Sequence, residues 1–501
     1  MSDIGSQKNV LSSSPVTKAT QTVRIVIIAL LLDLLAFTII LPLFPRLLQD
    51  YREREGDDTT LLSWSLHQIY IFKQLIGGES KNPKWDLVLL GGALGSLYSF
   101  LQFVSSPLIG TLSDRYGRRN ILLVTMIGNI LSTLIWLFSK SFGLFVLSRI
   151  IAGLSEGNIQ LSIAIISDVT SKESRSKGLA LVGIAFSVSF TIGPAIGAFF
   201  SSKDLSQTFP QLVKWGLNPY SMPALVALIL LSVETLYLYL FLPETVNLYH
   251  KSQILQPSDT KHQISNSSSF SYHQTNTVSQ RLSNLRNLNW IHFLFLFFFS
   301  GMEFTLTFLT FDLFNFTNMQ NGTLLGYIGI LSSILQGGYV RRMAHVVGEK
   351  RLVVQGVLCC AISLTIIAAL TKTSNGIMWL YLGATFLAIT SATVVTCLNS
   401  IASMQCDDYD DNDQNLSSVS TNDNNEINSG NITRIAKGQA LGVYRSLGQL
   451  GRSAGPIMSC GLYWMAGSEK CYGIGAFSML IILGIVIIKV PYIPTKKQKS
   501  E

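Results

Sequence analysis

The feature that most constrains the fold is a series of about twelve apolar runs, each long enough to cross a lipid bilayer as a helix. A hydrocarbon core of about 30 Å needs about 20 apolar residues in an α-helix, whereas barrel strands would be about 10 residues long and alternate in polarity. The sequence therefore predicts an all-α membrane protein with twelve transmembrane helices. The runs cover residues 23–45, 86–109, 120–138, 143–166, 178–200, 221–243, 288–312, 323–340, 352–371, 376–400, 438–466 and 471–491.

The composition agrees with a chain that lies mostly in lipid. Only 13% of its residues are charged, against about 25% in soluble domains. Residues 1–22 are polar, and the first apolar run is long enough to remain in the membrane as a signal anchor.

The Lys and Arg residues of the short loops predict the orientation, because they gather on the cytoplasmic side. With both termini in the cytoplasm, three inner loops carry ten basic residues, whereas three short outer loops carry one each. The net charge of +8 is spread over these loops, so no nucleic-acid partner is expected. The inner set is Arg115, Arg118, Arg119, Lys172, Arg175, Lys177, Arg341, Arg342, Lys350 and Arg351, and the outer set is Lys140, Lys372 and Lys470.

Polar segments divide the chain into two halves. We predict a cytoplasmic tail (1–22), a six-helix bundle (23–243), a cytoplasmic linker (244–287), a second six-helix bundle (288–491) and a short tail (492–501). The acidic insert at 404–435 is too polar to pack and is expected to be disordered. The outer loop at 46–84 is expected to be ordered in part by Trp64 and Tyr70.

The two halves resemble each other, which indicates an internal repeat. The Gly193-Pro194 pair of helix five recurs as Gly455-Pro456 in helix eleven, and Phe37-Thr38 of helix one recurs as Phe304-Thr305 in helix seven. The inner loop GTLSDRYGRRN (110–120) has its counterpart in GGYVRRMAHVVGEKR (337–351), which lacks the aspartate. Such a repeat predicts two bundles related by a pseudo-two-fold axis, with a binding site between them near the bilayer midplane.

The loop GTLSDRYGRR (110–119) resembles the signature G-x-L-x-D-R-x-G-R-R of the major facilitator superfamily at every defined position. The LDLLAFTIILPLFP run of helix one and the R-x-x-x-G pattern of helix four are similar to those of its drug:proton antiporter branch. Helix five departs from that branch's glycines at Ala180 and Ser189. Over nearly the whole chain the resemblance is to the tetracycline-transporter-like facilitators of animals, which implies a cargo of organic anions and drugs. The residues that match helix-four and helix-five motifs are Arg149, Gly153, Gly157, Gly193, Pro194 and Gly197.

The resemblance implies that the first inner loop is a conformational latch between the bundles. Gly110 and Gly117 would permit a tight chain reversal. Asp114 would accept hydrogen bonds at the N-terminus of a neighbouring helix and pair with an arginine such as Arg115 or Arg118. The alternative is a short loop whose arginines only satisfy the positive-inside rule.

Charged residues inside the predicted helices point to function, because each costs at least about 2.5 to 3.5 kcal/mol at the bilayer centre. Asp33 in helix one and Arg149 in helix four lie at depths that an arginine side chain could span. We predict that Asp33 pairs with Arg149 and exchanges a proton as substrate arrives; the alternative is a permanent structural ion pair. Glu303 in helix seven is the other proton site predicted, or else a neutral, hydrogen-bonded carboxyl.

Helix eleven carries Arg445, Gln449 and Arg452 on one face, at i, i+4 and i+7. Two arginines on one face predict a watery cavity that attracts an anion. Alternatively, Arg445 pairs with a carboxylate such as Glu303 and Arg452 reaches the interface. Glu156 and Asn158 of helix four are further predicted cavity residues, and His292 is expected at the interface.

No enzyme signature or cofactor motif competes with transport. The sequence lacks a phosphate-binding G-x-x-x-x-G-K-[ST] loop, an H-E-x-x-H motif and a nucleophile elbow. We therefore predict a monomeric secondary transporter of small organic molecules, driven by protons, in the plasma membrane or an internal membrane. Its alternatives are an uncoupled facilitator or anion exchanger and, from another class, a membrane scaffold or sensor.

Overall fold

The computed structural model describes residues 15–40, 43–55, 60–75, 83–170, 172–201, 211, 217, 220–245, 278–372, 375–406 and 435–491. Most of the predicted linker, nearly all of the acidic insert and most of both tails lie outside these ranges. Predictions about those segments therefore stay predictions.

Twelve long helical segments follow one another in the described ranges, and the all-α prediction is confirmed. Ten are long and apolar enough to cross a membrane, and the other two, α2 and α11, are 34 and 30 residues long. They are α1 (Pro15–Thr38), α2 (Pro83–Tyr116), α3 (Arg118–Leu137), α4 (Phe142–Ser155 and Asn158–Val169), α5 (Lys172–Ser201), α6 (Ser221–Phe241), α7 (Val278–Phe314), α8 (Asn318–Ile334, Leu335–Val340 and Arg341–Val347), α9 (Glu349–Ala368), α10 (Gly376–Gln405), α11 (Lys437–Ala466) and α12 (Ser468–Lys489).

Two helices are interrupted inside the bundle. In α4 the helical hydrogen bonding stops at Glu156 and resumes at Asn158. These two polar residues therefore lie at the ends of two half-helices, near the middle of α4. In α8, the segment Leu335–Val340 is a π-helix, in which each turn holds an extra residue. Both breaks face the space between the bundles.

The predicted inner loops are mostly helical, which corrects the sequence-based reading. Helix α2 continues to Tyr116, and only Gly117, with φ of 94°, separates it from α3. Gly348, with φ of 93°, separates α8 from α9 in the same way. Polar residues at the end of a transmembrane segment can remain helical, because the last turns of the helix extend beyond the bilayer into water.

Glycines allow the closest helix contacts in each bundle. Gly193 and Gly197 of α5 lie against Thr38 and Ile39 of α1, where a Cβ atom would collide with them. In the second bundle Gly455 of α11 lies against α7 in the equivalent way. The α1–α5 and α7–α11 contacts thus repeat, as the matched Gly-Pro pairs suggest.

The bundles themselves meet along two helix pairs. Helix α2 packs on α11, where the backbones of Gly110 and Gly442 come close to the opposite helix, and Gly329 of α8 packs on Thr191 of α5. Gly110 is therefore a close-packing residue inside a helix. This corrects its predicted role in chain reversal, which Gly117 alone fulfils.

Two short helices, Phe44–Arg54 and Leu61–Leu75, connect α1 to α2 and are called here the α1–α2 helix pair. Tyr51 anchors the first: it is fully buried, and its hydroxyl lies 2.7 Å from Oγ of Ser139. Burial raises the pKa of the Tyr51 hydroxyl to about 12, so it remains neutral. Trp64 and Tyr70, which were predicted to order this segment, are 61% and 55% exposed, so their predicted role as buried anchors is wrong.

Candidate functional site

A cavity of about 390 Å³ lies between the two bundles. Its size is within the range of small-molecule sites. Helices α1, α2, α4 and α5 form one wall, and α7, α8, α10 and α11 form the other. The polar residues that line it include Asp33, Tyr98, Gln102, Glu156, Gln160, His292, Gln336, Tyr444, Arg445, Gln449 and Arg452.

Asp33 is buried in the first wall and is held by Asn158. Nδ2 of Asn158 donates to Oδ1 of Asp33 over 2.7 Å. Thr125 donates to the other end of the same amide, over 3.2 Å. The interruption of α4 makes Asn158 the first residue of a half-helix, and the amide is oriented so that only its donor side faces the carboxylate. The structure thus brings Asp33 and Asn158 together, but Asn158 is buried and is not among the residues that line the cavity, which corrects its predicted role as a cavity residue.

Arg149 does not pair with Asp33, which corrects the predicted ion pair. Its guanidinium lies over the rings of Trp136 and Phe145, 5.4 and 5.5 Å from their centroids, and Nε donates to Oγ of Ser148 over 3.3 Å. Cation–π contacts with two rings replace the carboxylate as its partner. Arg149 and Asp33 both line a second cavity of about 40 Å³ inside the first bundle, which has room for a few water molecules.

Glu156 lies beside Asp33 in the wall shared by the two cavities. It is buried at the break in α4, where its Oε2 accepts a hydrogen bond from the Tyr98 hydroxyl over 3.2 Å. Asp33 and Glu156 both have neutral hydrogen-bond donors in this structure. Neither forms an ion pair with another residue in the described ranges.

The three predicted residues of α11 all line the cavity. Nη2 of Arg445 lies 3.5 Å from Oε1 of Gln102, at the limit of a hydrogen bond, and its buried Nε has no partner among the described residues. Arg445 lies within electrostatic range of Glu156 and Asp33 across the cavity. Arg452, about two helical turns further along, is open to the cavity.

Glu303 does not line the central cavity. Its side chain is exposed, one turn beyond Phe299 on α7, and it borders a pocket of about 10 Å³ with apolar neighbours. It makes no hydrogen bond or ion pair within the described ranges, so the predicted alternatives of a hydrogen-bonded core carboxyl and of an Arg445 partner are both wrong. Arg452 is the charged residue in its electrostatic range.

Several cavity residues were missed or misplaced by sequence reasoning. His292 is buried in the cavity wall rather than interfacial, and its ring stacks on Tyr444 at 4.2 Å. Its Nε2, the Tyr444 hydroxyl and Oε1 of Gln160 are buried without a partner in the described structure. Buried polar atoms without partners are costly, so the cavity, which has Gln160 on one wall and His292 and Tyr444 on the other, is suited to a polar ligand or water.

Glu234 of α6 is a third buried acidic side chain of the first bundle, after Asp33 and Glu156. It is 1% exposed and lies within electrostatic range of Asp33 and Glu156. It is the fourteenth of the 21 residues of α6, so the cost of a mid-membrane charge could have identified it from sequence alone.

The predicted latch residue Asp114 lies where the two bundles meet, at the face that bears the start of α1. Its two carboxylate oxygens accept hydrogen bonds from the backbone amides of Gly438 and Gln439, over 2.9 and 2.8 Å. These amides belong to the first turn of α11, where the helix dipole favours an anion. Asp114 also pairs with Arg118 at 2.8 Å.

Further polar contacts surround Asp114. Arg118 reaches Asp168 at 3.1 Å, and Lys437 of the second bundle reaches the same carboxylate at 3.1 Å. The carboxylate of Glu244 accepts from the amides of Arg118 and Arg119 and fills the space beside Gly117. Arg115 is exposed, and no described residue bonds to it. The helix-five motif of Gly193, Pro194 and Gly197 lies outside the cavity and packs α5 on α1.

Comparisons with known proteins point to one family. A sequence profile described as Major Facilitator Superfamily matches residues 26–409. Human major facilitator superfamily domain-containing protein 10 is 33% identical over 488 residues, which cover 96% of this chain and 95% of the human protein. The class B tetracycline resistance protein of Escherichia coli is 23% identical over 389 residues, or 76% of this chain and 80% of that protein. The crystal structure of the human organic anion transporter MFSD10 (TETRAN) aligns with a TM-score of 0.73 and 31% identity, covering 93% of this chain and 99% of the human one.

Proposed function

The chain belongs to the major facilitator superfamily and is a multi-pass membrane transporter, and we propose that it moves small organic anions by alternating access, driven by protons. We also propose that it acts as a monomer rather than as an enzyme or a scaffold, with both termini in the cytoplasm. The description of the human relative as an organic anion transporter supports an anionic cargo.

The observation that carries the proposal is the division of charge across the central cavity. One wall presents the carboxyl groups of Asp33 and Glu156, and the other presents Arg445 and Arg452. An anion placed between them is attracted by the arginines and repelled by ionised carboxylates. Protonation of Asp33 or Glu156 removes the repulsion, so proton binding and anion binding strengthen each other.

Because proton binding and anion binding strengthen each other, the two are expected to move across the membrane in the same direction. Because the anion binds best when the carboxyls are protonated, proton and anion cross the membrane together. Drug:proton antiport, which the resemblance in helices one, four and five implies, is the alternative, and it would require substrate and proton to exclude each other. The departure from the antiporter glycines at Ala180 and Ser189 argues against strict antiport.

Flux into liposomes tests both the cargo and the coupling. The purified full-length protein is reconstituted, and uptake of radiolabelled naphthalenesulfonate is followed, because this aromatic anion stays ionised and crosses bilayers poorly. Acidifying the outside should accelerate uptake if the anion and the proton move together. Slower uptake would indicate antiport, and uptake that ignores pH would indicate an uncoupled facilitator. Uptake that requires an internal anion would indicate exchange.

Asp33→Asn is the variant that tests the proton site. Asparagine keeps an oxygen for Asn158 but cannot release a proton, so uptake should lose its response to a pH gradient. Since Arg149 has its own aromatic partners, the variant should stay folded, which thermal unfolding checks. Glu303→Gln is the matched control outside the cavity and should keep the response. The reverse result would make Glu303 the proton site.

A further inference from the structure

The two members of the α1–α2 helix pair expose faces of opposite character. The first short helix buries Leu47, Leu48 and Tyr51 and exposes the polar residues Gln49, Arg52, Glu53 and Arg54. The second short helix, Leu61–Leu75, buries Leu62, Ile69 and Lys73 but also exposes several apolar residues. Its exposed apolar residues include Trp64 at 61% and Leu75 at 79% exposure.

No acidic or basic charge remains on the exposed face of the second short helix. Lys73 is the only Asp, Glu, Lys or Arg in its sequence LLSWSLHQIYIFKQL. That side chain is buried, and its ammonium group bonds to Asp86 over 2.6 Å. The exposed face therefore carries apolar and aromatic residues together with the polar residues His67, Gln68 and Gln74. Leu61, Trp64, Ile71 and Leu75 recur at helical spacing along it.

Both ends of the second short helix are fixed to the ends of membrane helices. At its start, Leu61 lies beside Gly143 in the first turn of α4. Near its end, Lys73 bonds to Asp86 in the first turn of α2. Helix α4 is apolar enough to cross the membrane, so the second short helix lies at the level where the chain enters the bilayer.

We infer that the second short helix lies in the headgroup layer of the bilayer, with Trp64, Ile71 and Leu75 in contact with lipid. Tryptophan and tyrosine favour this layer, because their rings are apolar and their NH and OH groups reach water. A helix that has an apolar exposed face and is too short to span lies in the plane of the interface. The charged face of the first short helix points to water instead.

The contact with lipid concerns only one bundle. In the second bundle, the equivalent connection between α7 and α8 consists of residues 315–317. The α1–α2 helix pair would thus hold the first bundle at a fixed depth and tilt while the second bundle moves against it.

Spin labels test this placement. Single cysteines are introduced in the full-length protein by Trp64→Cys, Ile71→Cys and Leu75→Cys, with Glu53→Cys on the first short helix as the matched control. The six native cysteines are buried and should not take a nitroxide reagent. In phosphatidylcholine liposomes, the collision rate of each nitroxide is measured with oxygen, which concentrates in lipid, and with a water-soluble nickel chelate.

The ratio of oxygen to nickel collisions should be several-fold higher at positions 64, 71 and 75 than at position 53. A water-like ratio at the three sites would overturn the inference, because the apolar face would then lie in solvent. Low collision rates with both reagents would also overturn it, since a protein surface or a second copy would then cover the helix. The three sites are exposed, so a folding defect in one variant leaves the other two decisive.

Discussion

The two halves of the chain share a backbone plan but divide the charged groups between them. The α2–α3 and α8–α9 turns have the same conformation, with φ of 94° at Gly117 and 93° at Gly348. The residue that follows is a buried arginine, Arg118, in the first half and a buried glutamate, Glu349, in the second. Arg118 bonds to Asp168, whereas Glu349 accepts from Ser400. The repeat therefore conserves the path of the chain and not its electrostatics.

The same division holds in the cavity. The first half contributes the carboxyl groups of Asp33 and Glu156, and the second contributes Arg445 and Arg452. A symmetric cavity would place like charges opposite each other. These charges would repel each other and would also repel a ligand of the same sign. The asymmetry lets one half hold protons and the other hold an anion. Variants that remove one side at a time can test this division.

The largest expected effect comes from Arg445→Gln. A hydrogen bond to a charged group contributes about 1.5 to 3 kcal/mol, so uptake of an organic anion at low concentration should fall about 10- to 100-fold. Arg452→Gln is the matched comparison on the same helix face, and it should cost less because Arg452 is exposed to solvent. Flux in liposomes measures both. Equal losses in the two variants would contradict a special role for the buried arginine.

The second test asks whether the α2–α3 and α8–α9 turns are equivalent only in their backbone conformation. Gly117→Ala and Gly348→Ala each place a Cβ in a left-handed conformation, which costs about 1 to 2 kcal/mol. Gly117→Ala should cost more, because its Cβ would also collide with the carboxylate of Glu244. Thermal unfolding of the purified variants measures the difference. If Gly348→Ala proved the more damaging, the turns would not be equivalent.

A smaller effect is expected from Asp114→Asn. An anion at a helix N-terminus contributes about 0.3 to 1 kcal/mol, and up to about 2 when partly buried. Losing the charge should weaken the contact with α11 and change the turnover rate about 3- to 10-fold, without loss of protein from the membrane. Arg115→Gln is the control in the same motif, because Arg115 makes no contact in the described ranges. Wild-type turnover in Asp114→Asn would reject the latch.

The smallest effect should come from deleting residues 407–426 of the acidic insert. This segment lies outside the described residues, and its composition is too polar to form part of the packed bundle. Substrate uptake per molecule should be unchanged in the deletion variant. Lost uptake at normal abundance in the membrane would assign the insert a role in the second half that the first half lacks.

The sequence predicted the helices better than the directions in which their side chains point. Apolar runs and polar gaps identify the spans, and the position of Asp33 along α1 follows from counting residues. The predicted partner was wrong, because a helix turns about 100° per residue and depth alone does not show which side chain faces which. Arg149 turns toward Trp136, while Asn158 faces Asp33. The interruption of α4 at Glu156 and Gly157 sets the direction of Asn158, and a single glycine within an apolar run does not by itself predict such an interruption.

Charged residues at helix ends were also hard to interpret. The apolar pattern stops near residue 109, yet α2 continues to Tyr116. Hydropathy reports where the bilayer ends, and the hydrogen bonding of the backbone can continue for two further turns. The position of Asp114 opposite the start of α11 depends on that continuation, because a loop at 110–117 would not hold the carboxylate in a fixed position relative to the amides of α11.

The π-helical segment of α8 has a consequence for how the family's chains can change in length. Its Gln336 accepts a hydrogen bond from Ser187 of α5 over 3.2 Å, so the segment lies at the contact between the halves. A π turn contains one residue more than an α turn over nearly the same rise. A deletion of one residue here would convert the segment to an ordinary α turn, and both ends of the helix would stay where they are. This helix can therefore lose one residue at the bundle interface without a shift of either of its ends.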